Sequence, residues 1–151
     1  MIKAVSDFKG VVSVLVVEDD DDDYEFLESA LQECCGDPNV NWVKDGDQAV
    51  DYLFRRGEYK DETQYPTPDL IFLDIRIPKK NGLEVAKIIK DDPVLKKLPT
   101  IMLTTSSAYA DVVRAYEIGA NNYLKKPGGS KEIEQFKKAI CLFWSPVVLY
   151  P

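Results

Sequence analysis

A chain of 151 residues with 45% hydrophobic and 30% charged residues is the size of one domain with room for a real core. Its net charge of −7 argues against a nucleic-acid surface and for a basic partner or a cation. No histidine is present, which excludes histidine triads and histidine metal sites, and no apolar run approaches the roughly 18 residues of a membrane span. Three cysteines, two of them adjacent at Cys34 and Cys35, make neither a disulfide framework nor a zinc spacing. They fit a reducing compartment. The first ten residues lack the apolar core of a signal peptide, so the expected location is the cytoplasm.

Val11 to Val17 is a valine-rich apolar run that reads as a buried strand, ending in Glu18-Asp19 and a further run of aspartates to Asp23. A helix follows, with Leu27, Ala30, Leu31 and Cys34 at helical spacing and the acidic run at its N-terminus. Val40 to Val43 is a second strand. Asp45 or Asp47 can cap the next helix, whose core stripe is Ala49, Val50, Leu53 and Phe54. Gly57 to Pro68 is a polar loop, long for a compact α/β domain. Leu70 to Leu73 then form a strand without alternation, as expected for one covered on both faces. Leu83, Val85, Ala86 and Ile89 mark a third helix, and Thr100 to Leu103 a fourth strand. Val112, Val113 and Tyr116 mark a fourth helix, and Asn122 to Leu124 a short fifth strand. Ile133, Phe136, Ile140 and Phe143 give a fifth helix, and the tail runs from Trp144 to Pro151.

Five strand–helix alternations imply an α/β fold: a doubly wound five-stranded parallel sheet with helices on both faces and right-handed crossovers. The common order for five such units is the flavodoxin-like 2-1-3-4-5, with its switch point between the first and third strands. Ligands bind at that edge. The first strand ends at Glu18-Asp19 and the third at Asp74, so carboxylates converge there and call for a cation. Oxygen ligation with few protein carboxylates suits Mg²⁺, which takes phosphate oxygens as well. Past Asp74, Pro78 forbids further ladder pairing and Asn81-Gly82 signals a turn into a helix. The fourth strand runs into the hydroxyl of Thr104 and the fifth into the ammonium of Lys126, groups that bind and neutralise phosphoryl oxygens. Asp74 is then a candidate nucleophile forming an aspartyl-phosphate.

Each feature has a plainer reading. Asp74 can merely cap a strand, Asp21 to Asp23 read mostly as a solvated helix cap, Thr104 alone as a cap, and Lys126 alone as a surface charge. What chance does not produce readily is four strand ends carrying suitable groups in one fold. Other motifs fail. Counted from Asp19, a calcium loop needs glycine where Tyr24 stands and glutamate where Ala30 stands. No Gly-rich loop precedes a Gly-Lys-Ser/Thr. An aspartyl-phosphate phosphatase of the haloacid dehalogenase type would resemble Asp-x-Asp, and Arg76 occupies the second position.

These residues resemble the receiver domain of two-component response regulators over about 11–143, a single domain followed by the apolar tail 144–151. The resemblance rests on Val17-Glu18-Asp19, Leu73-Asp74, Pro78-Lys79-Lys80-Asn81-Gly82, Leu103-Thr104-Thr105-Ser106 and Lys125-Lys126-Pro127. It implies that Asp74 is the phosphoacceptor, that Asp19 binds Mg²⁺ directly and Glu18 through water, and that the Arg76 carbonyl is a further ligand. It implies that Thr104 and Tyr123 switch together, that Lys126 contacts the phosphoryl group, and that the Lys126-Pro127 bond is cis. Asp20, where relatives often carry Asn, is a further candidate to face the site.

The loop before the third strand, Ile77-Pro78-Lys79-Lys80, the Leu103 to Ser106 run and the Phe-Trp tail are similar to the stand-alone regulators that partner phytochrome-type histidine kinases. The implied partners are a sensor histidine kinase and a downstream protein, with no nucleic acid and no membrane. The implied protein is not an enzyme beyond its own phosphorylation and dephosphorylation. A phosphate-independent scaffold is the remaining alternative. Phe143, Trp144, Val147, Val148, Leu149 and Tyr150 predict a homodimer through the fifth helix and tail. Arg76 and Ser106, each two residues past a site residue, are expected to tune the phosphoryl lifetime.

Overall fold

The computed structural model describes residues 13–35, 38–105 and 109–142. Ser106, the tail and the start of the expected first strand lie outside them. Five parallel strands alternate with five helices: β1 (Ser13–Val17), α1 (Asp21–Cys35), β2 (Asn39–Val43), α2 (Gly46–Leu53), β3 (Leu70–Asp74), α3 (Gly82–Asp91), β4 (Thr100–Thr104), α4 (Tyr109–Ile118), β5 (Asn122–Lys125) and α5 (Ser130–Leu142). The sheet order is β2-β1-β3-β4-β5, the common order expected for five such units. Register pairs Val17 with both Val43 and Leu73, and Thr104 with Lys125, so the strand ends form one edge.

Because strand side chains alternate, the sheet makes two cores. Leu15, Val17, Ile71, Leu73 and Met102 pack toward α2, α3 and α4 through Ala49, Leu53, Val85, Ile89 and Ala115. Val14, Val16, Leu70, Phe72, Ile101 and Leu103 pack toward α1 and α5 through Leu27, Leu31, Phe136 and Ile140. Strands β1, β3 and β4 are buried along their whole length, which is why their sequences are apolar without alternation.

Caps start the helices where the sequence places them. Asp45, not Asp47, caps α2 by accepting from the Gln48 amide, and Asn81 caps α3 by accepting from the Glu84 amide. Asp20 accepts from the Asp23 amide at 2.8 Å and so caps α1, which ties its carboxylate to the helix end.

Three expectations are corrected. The loop after α2 holds a short 3-10 turn, Gly57–Lys60, that buries Tyr59 against Tyr52 and Tyr65 with ring centroids 5.2 and 5.0 Å away, so polar composition hid an aromatic cluster. In α4 the buried residue is Ala115, and Tyr116 is exposed. No cis peptide bond occurs among the described residues, so Lys126-Pro127 takes the trans form that X–Pro bonds usually prefer.

A fourth correction concerns cysteine. Cys34 of α1 and Cys141 of α5 are joined as a disulfide across 107 residues. Their separation in the chain concealed that both helices cover the same sheet face.

Candidate functional site

The carboxyl edge of the sheet brings Glu18, Asp74, Thr104 and Lys126 together from four different connections. Glu18 follows β1 and is only 2% exposed; Asp74 closes β3 and is 5% exposed. The Glu18 amide donates to the Val43 carbonyl, which extends the β1–β2 pairing and fixes where the side chain emerges. Its own carbonyl accepts from the Trp42 indole at 2.7 Å, and Trp42 stacks on Tyr24 with centroids 3.8 Å apart. Asp74 is held from beneath. The Ile75 amide donates to the Leu103 carbonyl, and the Arg76 amide donates to Asp74 Oδ1 at 3.2 Å.

The loop after Asp74 depends on two glycines because backbone crosses backbone there. A Cβ on Gly82 would lie 2.1 Å from the Asp74 carbonyl oxygen, and one on Gly46 2.0 Å from the Lys80 carbonyl oxygen. Gly46 donates to the Pro78 carbonyl, and Lys80 pairs with Asp47 at 2.6 Å, so α2 clamps this loop from the side. Lys79 adopts a φ of 68°, an uncommon left-handed conformation for a non-glycine residue.

Lys126 sits at the centre of the edge. Its Nζ lies 2.6 Å from Glu18 Oε2, 2.8 Å from Asp23 Oδ2 and 2.9 Å from Asp74 Oδ2. Burial favours the neutral amine, but the hydrogen bonds that the ammonium donates to Asp23, Glu18 and Asp74 outweigh it and hold it firmly charged. Asp23 had read as a solvated cap. Only the packing of α1 beside α5 shows that it reaches Lys126, which lies between β5 and α5.

One ammonium does not neutralise this cluster. Oxygens of Glu18, Asp19 and Asp74 lie within 4.8 Å of one another. Burial raises the Glu18 carboxyl to about 7, helped by the Asp74 charge and opposed by Lys126. Excess carboxylate in a low-dielectric edge, ligated by oxygen alone, fits a hard divalent cation. Asp19 is exposed, as a ligand open to solvent exchange would be.

Thr104 is fully buried and shares a hydrogen bond with the Tyr123 phenol, whose pKa burial pushes upward. Arg76 contributes its amide to Asp74, while its side chain is exposed and its charge is felt at Tyr123. A cavity of about 310 Å³ opens beside Lys126, lined by Asp23, Phe26, Leu27, Pro127 and Phe136 between α1 and α5.

An acidic pocket at the switch point of a 2-1-3-4-5 sheet, with an ammonium on the central aspartate and a buried hydroxyl ending the neighbouring strand, defines a phosphoryl-receiving α/β domain. The chain belongs to the response regulator receiver domain family, whose model matches residues 14–137. It is 36% identical over 138 residues to response regulator Rcp1 of Synechocystis, covering 91% of this chain and 92% of that one. The phosphorylated cyanobacterial phytochrome response regulator RcpA superposes with a TM-score of 0.82 at 36% identity, covering 91% and 96% of the two chains. The Mn²⁺-bound form of Rcp1 superposes with a TM-score of 0.83 at 36% identity, covering 92% and 98%.

Proposed function

We propose that this protein is a phosphorylation-activated response regulator that takes a phosphoryl group onto Asp74 from a sensor histidine kinase of the phytochrome type. The observation that carries the reading is the Asp74 carboxylate held between the Arg76 amide and the Lys126 ammonium, beside Glu18 and Asp19. In the transfer an Asp74 oxygen attacks phosphorus, a P–O bond forms, and the P–N bond of the donor's phosphohistidine breaks. Lys126 would exchange its Asp74 contact for a phosphoryl oxygen. Glu18 and Asp19, with Asp74 and the Arg76 carbonyl, would hold Mg²⁺, which when bound supplies charge neutralisation. Thr104 turns toward the new phosphoryl oxygens, and its bond to Tyr123 carries the change to the α4–β5–α5 face.

The phytochrome assignment draws on the similarity to RcpA. A kinase that consumes ATP places the exchange in the cytoplasm. The protein turns over no separate substrate; its output is binding of a downstream protein. Leu142, 62% exposed at the end of α5, supports a homodimer through that helix.

Acetyl phosphate with Mg²⁺ adds one phosphoryl group by intact mass, and a chelator or Asp74→Asn abolishes it. Equal labelling in chelator, or labelling retained in the mutant, sinks the assignment. Light scattering of the phosphorylated protein tests the dimer, which a monomer at high concentration refutes.

A further inference from the structure

Helices α1 and α5 lie side by side on one face of the sheet, and three ties cross their seam. Nearest the acidic edge, Phe26 packs on Phe136 with centroids 5.5 Å apart. Further along, Glu33 pairs with Lys137 at 3.2 Å. At the far end Cys34 is bonded to Cys141, with 5.0 Å between Cα atoms. That separation lies in the usual disulfide range, so no backbone movement is needed to close the bond.

The opened state has a place too. Cys34 Sγ lies 3.7 Å from the Lys137 carbonyl oxygen, where a thiol would find an acceptor. Cys141 is exposed and Cys34 half-buried, so a small reagent can reach the pair. A protein phosphorylated by a kinase works among reductants, where disulfides are transient and serve sensing or catalysis.

We infer that Cys34 and Cys141 are a reversible redox-modification site that covalently fastens α5 to α1, its reversibility resting on the reducing surroundings of the function proposed above. The oxidant is a low-molecular-weight disulfide such as oxidised glutathione. One cysteine thiolate attacks it, forming a mixed disulfide and releasing one glutathione thiolate. The second cysteine thiolate attacks the protein sulfur of that mixed disulfide and releases the other glutathione. The protein loses two hydrogens, two glutathione thiols form, and a dithiol reductant reverses the exchange. The closed form constrains a loop of 107 residues, so the unfolded chain loses much of its freedom. The site needs no phosphoryl group, so it stands or falls separately from Asp74.

The test begins with the full chain reduced by dithiothreitol and freed of it. Oxidised glutathione is added, and free thiols are then blocked with a maleimide under denaturing conditions. Reduced protein takes three labels; oxidised protein takes one and is two hydrogens lighter. Cys35→Ser takes none after oxidation and still closes, whereas Cys34→Ser and Cys141→Ser lose the internal link. The melting temperature of the oxidised wild type is higher by roughly 10 °C, a gain absent in Cys141→Ser. Three labels after oxidation, glutathione adducts that never close, a link running through Cys35, or equal melting temperatures in the two forms overturns the inference. The label count in wild type and Cys35→Ser decides the matter even if another variant folds poorly.

Discussion

The two halves of the sheet are built to different standards. Strands β1 and β3 are buried at every position, and the loop leaving β3 passes so close to its neighbours that glycine alone fits at Gly46 and Gly82. At the other side β5 has exposed and half-buried residues only, and α4 buries Ala115 while Tyr109 and Tyr116 stand 82% and 48% exposed. The carboxylates Glu18, Asp19 and Asp74 leave the tightly packed strands, while Lys126 reaches them from the end of β5. The face proposed for output lies on the loosely packed half, where two arrangements can differ by little free energy. Thr104 and Tyr123 join them, the first fully buried and the second half-buried.

The largest effect that contrast predicts is on stability. Gly82→Ala places a methyl 2.1 Å from the Asp74 carbonyl oxygen and 2.7 Å from the Ile75 Cα, and backbone cannot step aside as a side chain can. We expect a loss of about 3 kcal/mol or more in denaturant unfolding, against a change within about 0.5 kcal/mol for Tyr116→Ala on the open half. Similar values for the two would erase the distinction.

Next comes pH. The Glu18 carboxyl, pushed up to about 7 mainly by burial, holds a proton in the folded protein that the unfolded chain releases near 4.5. Between those values the folded state binds more protons, so this group's contribution to metal-free stability falls as pH rises through that window. A cation must displace the same proton, so Mg²⁺ affinity climbs by up to about tenfold per unit below 7 and levels off above it. Calorimetric titration across that range checks this. A flat profile in the wild type, or an unchanged slope in Glu18→Gln, shows that burial at this edge does not govern the metal.

A several-fold effect is expected at the joint between the halves. Thr104→Ala keeps Asp74, Lys126 and the carboxylates, so phosphorylation by acetyl phosphate persists. The phosphorylation-dependent change in amide exchange over α4 and β5 should shrink on the order of fivefold, because the hydrogen bond to Tyr123 is gone. A full response in the mutant would mean that the open half hears of the phosphoryl group by another route.

The same contrast explains what the sequence discloses. Leu70 to Leu73 had to be a doubly covered strand because an apolar run without alternation has no solvent face to offer. Glu18, Asp74 and Thr104 were legible because each follows or ends such a run, Lys126 because it follows a short fifth strand, and topology then gathers them. Asp23, Cys34 with Cys141, and the Tyr52, Tyr59 and Tyr65 cluster were not, since each depends on the rotation of a helix or the path of a loop. Periodicity does not fix either. Val112, Val113 and Tyr116 misled for a related reason: on a helix that buries only Ala115, apolar spacing marks a surface kept for a partner as readily as a core.

The smallest effect tests whether the rigid half reaches past the metal to the lifetime of the signal. Arg76 donates its amide to Asp74 Oδ1, so its Cα is fixed, but its guanidinium is exposed on a loop over the site. A fixed base and a free, planar, permanently charged head suit a clamp on phosphoryl oxygens, two parallel hydrogen bonds that would obstruct a water approaching in line. An arginine aligned with the leaving oxygen would do the reverse and speed hydrolysis. The hydrogen bond from the Arg76 amide to Asp74 Oδ1 favours the clamp, because it holds the chain beside the acceptor carboxylate rather than across from it. Arg76→Asn keeps the backbone ligand and removes the fork, so the phosphoprotein should decay on the order of threefold faster at fixed Mg²⁺, measured by phosphate release. An unchanged rate makes the side chain a bystander whose exposed charge does little. A slower rate reverses its role.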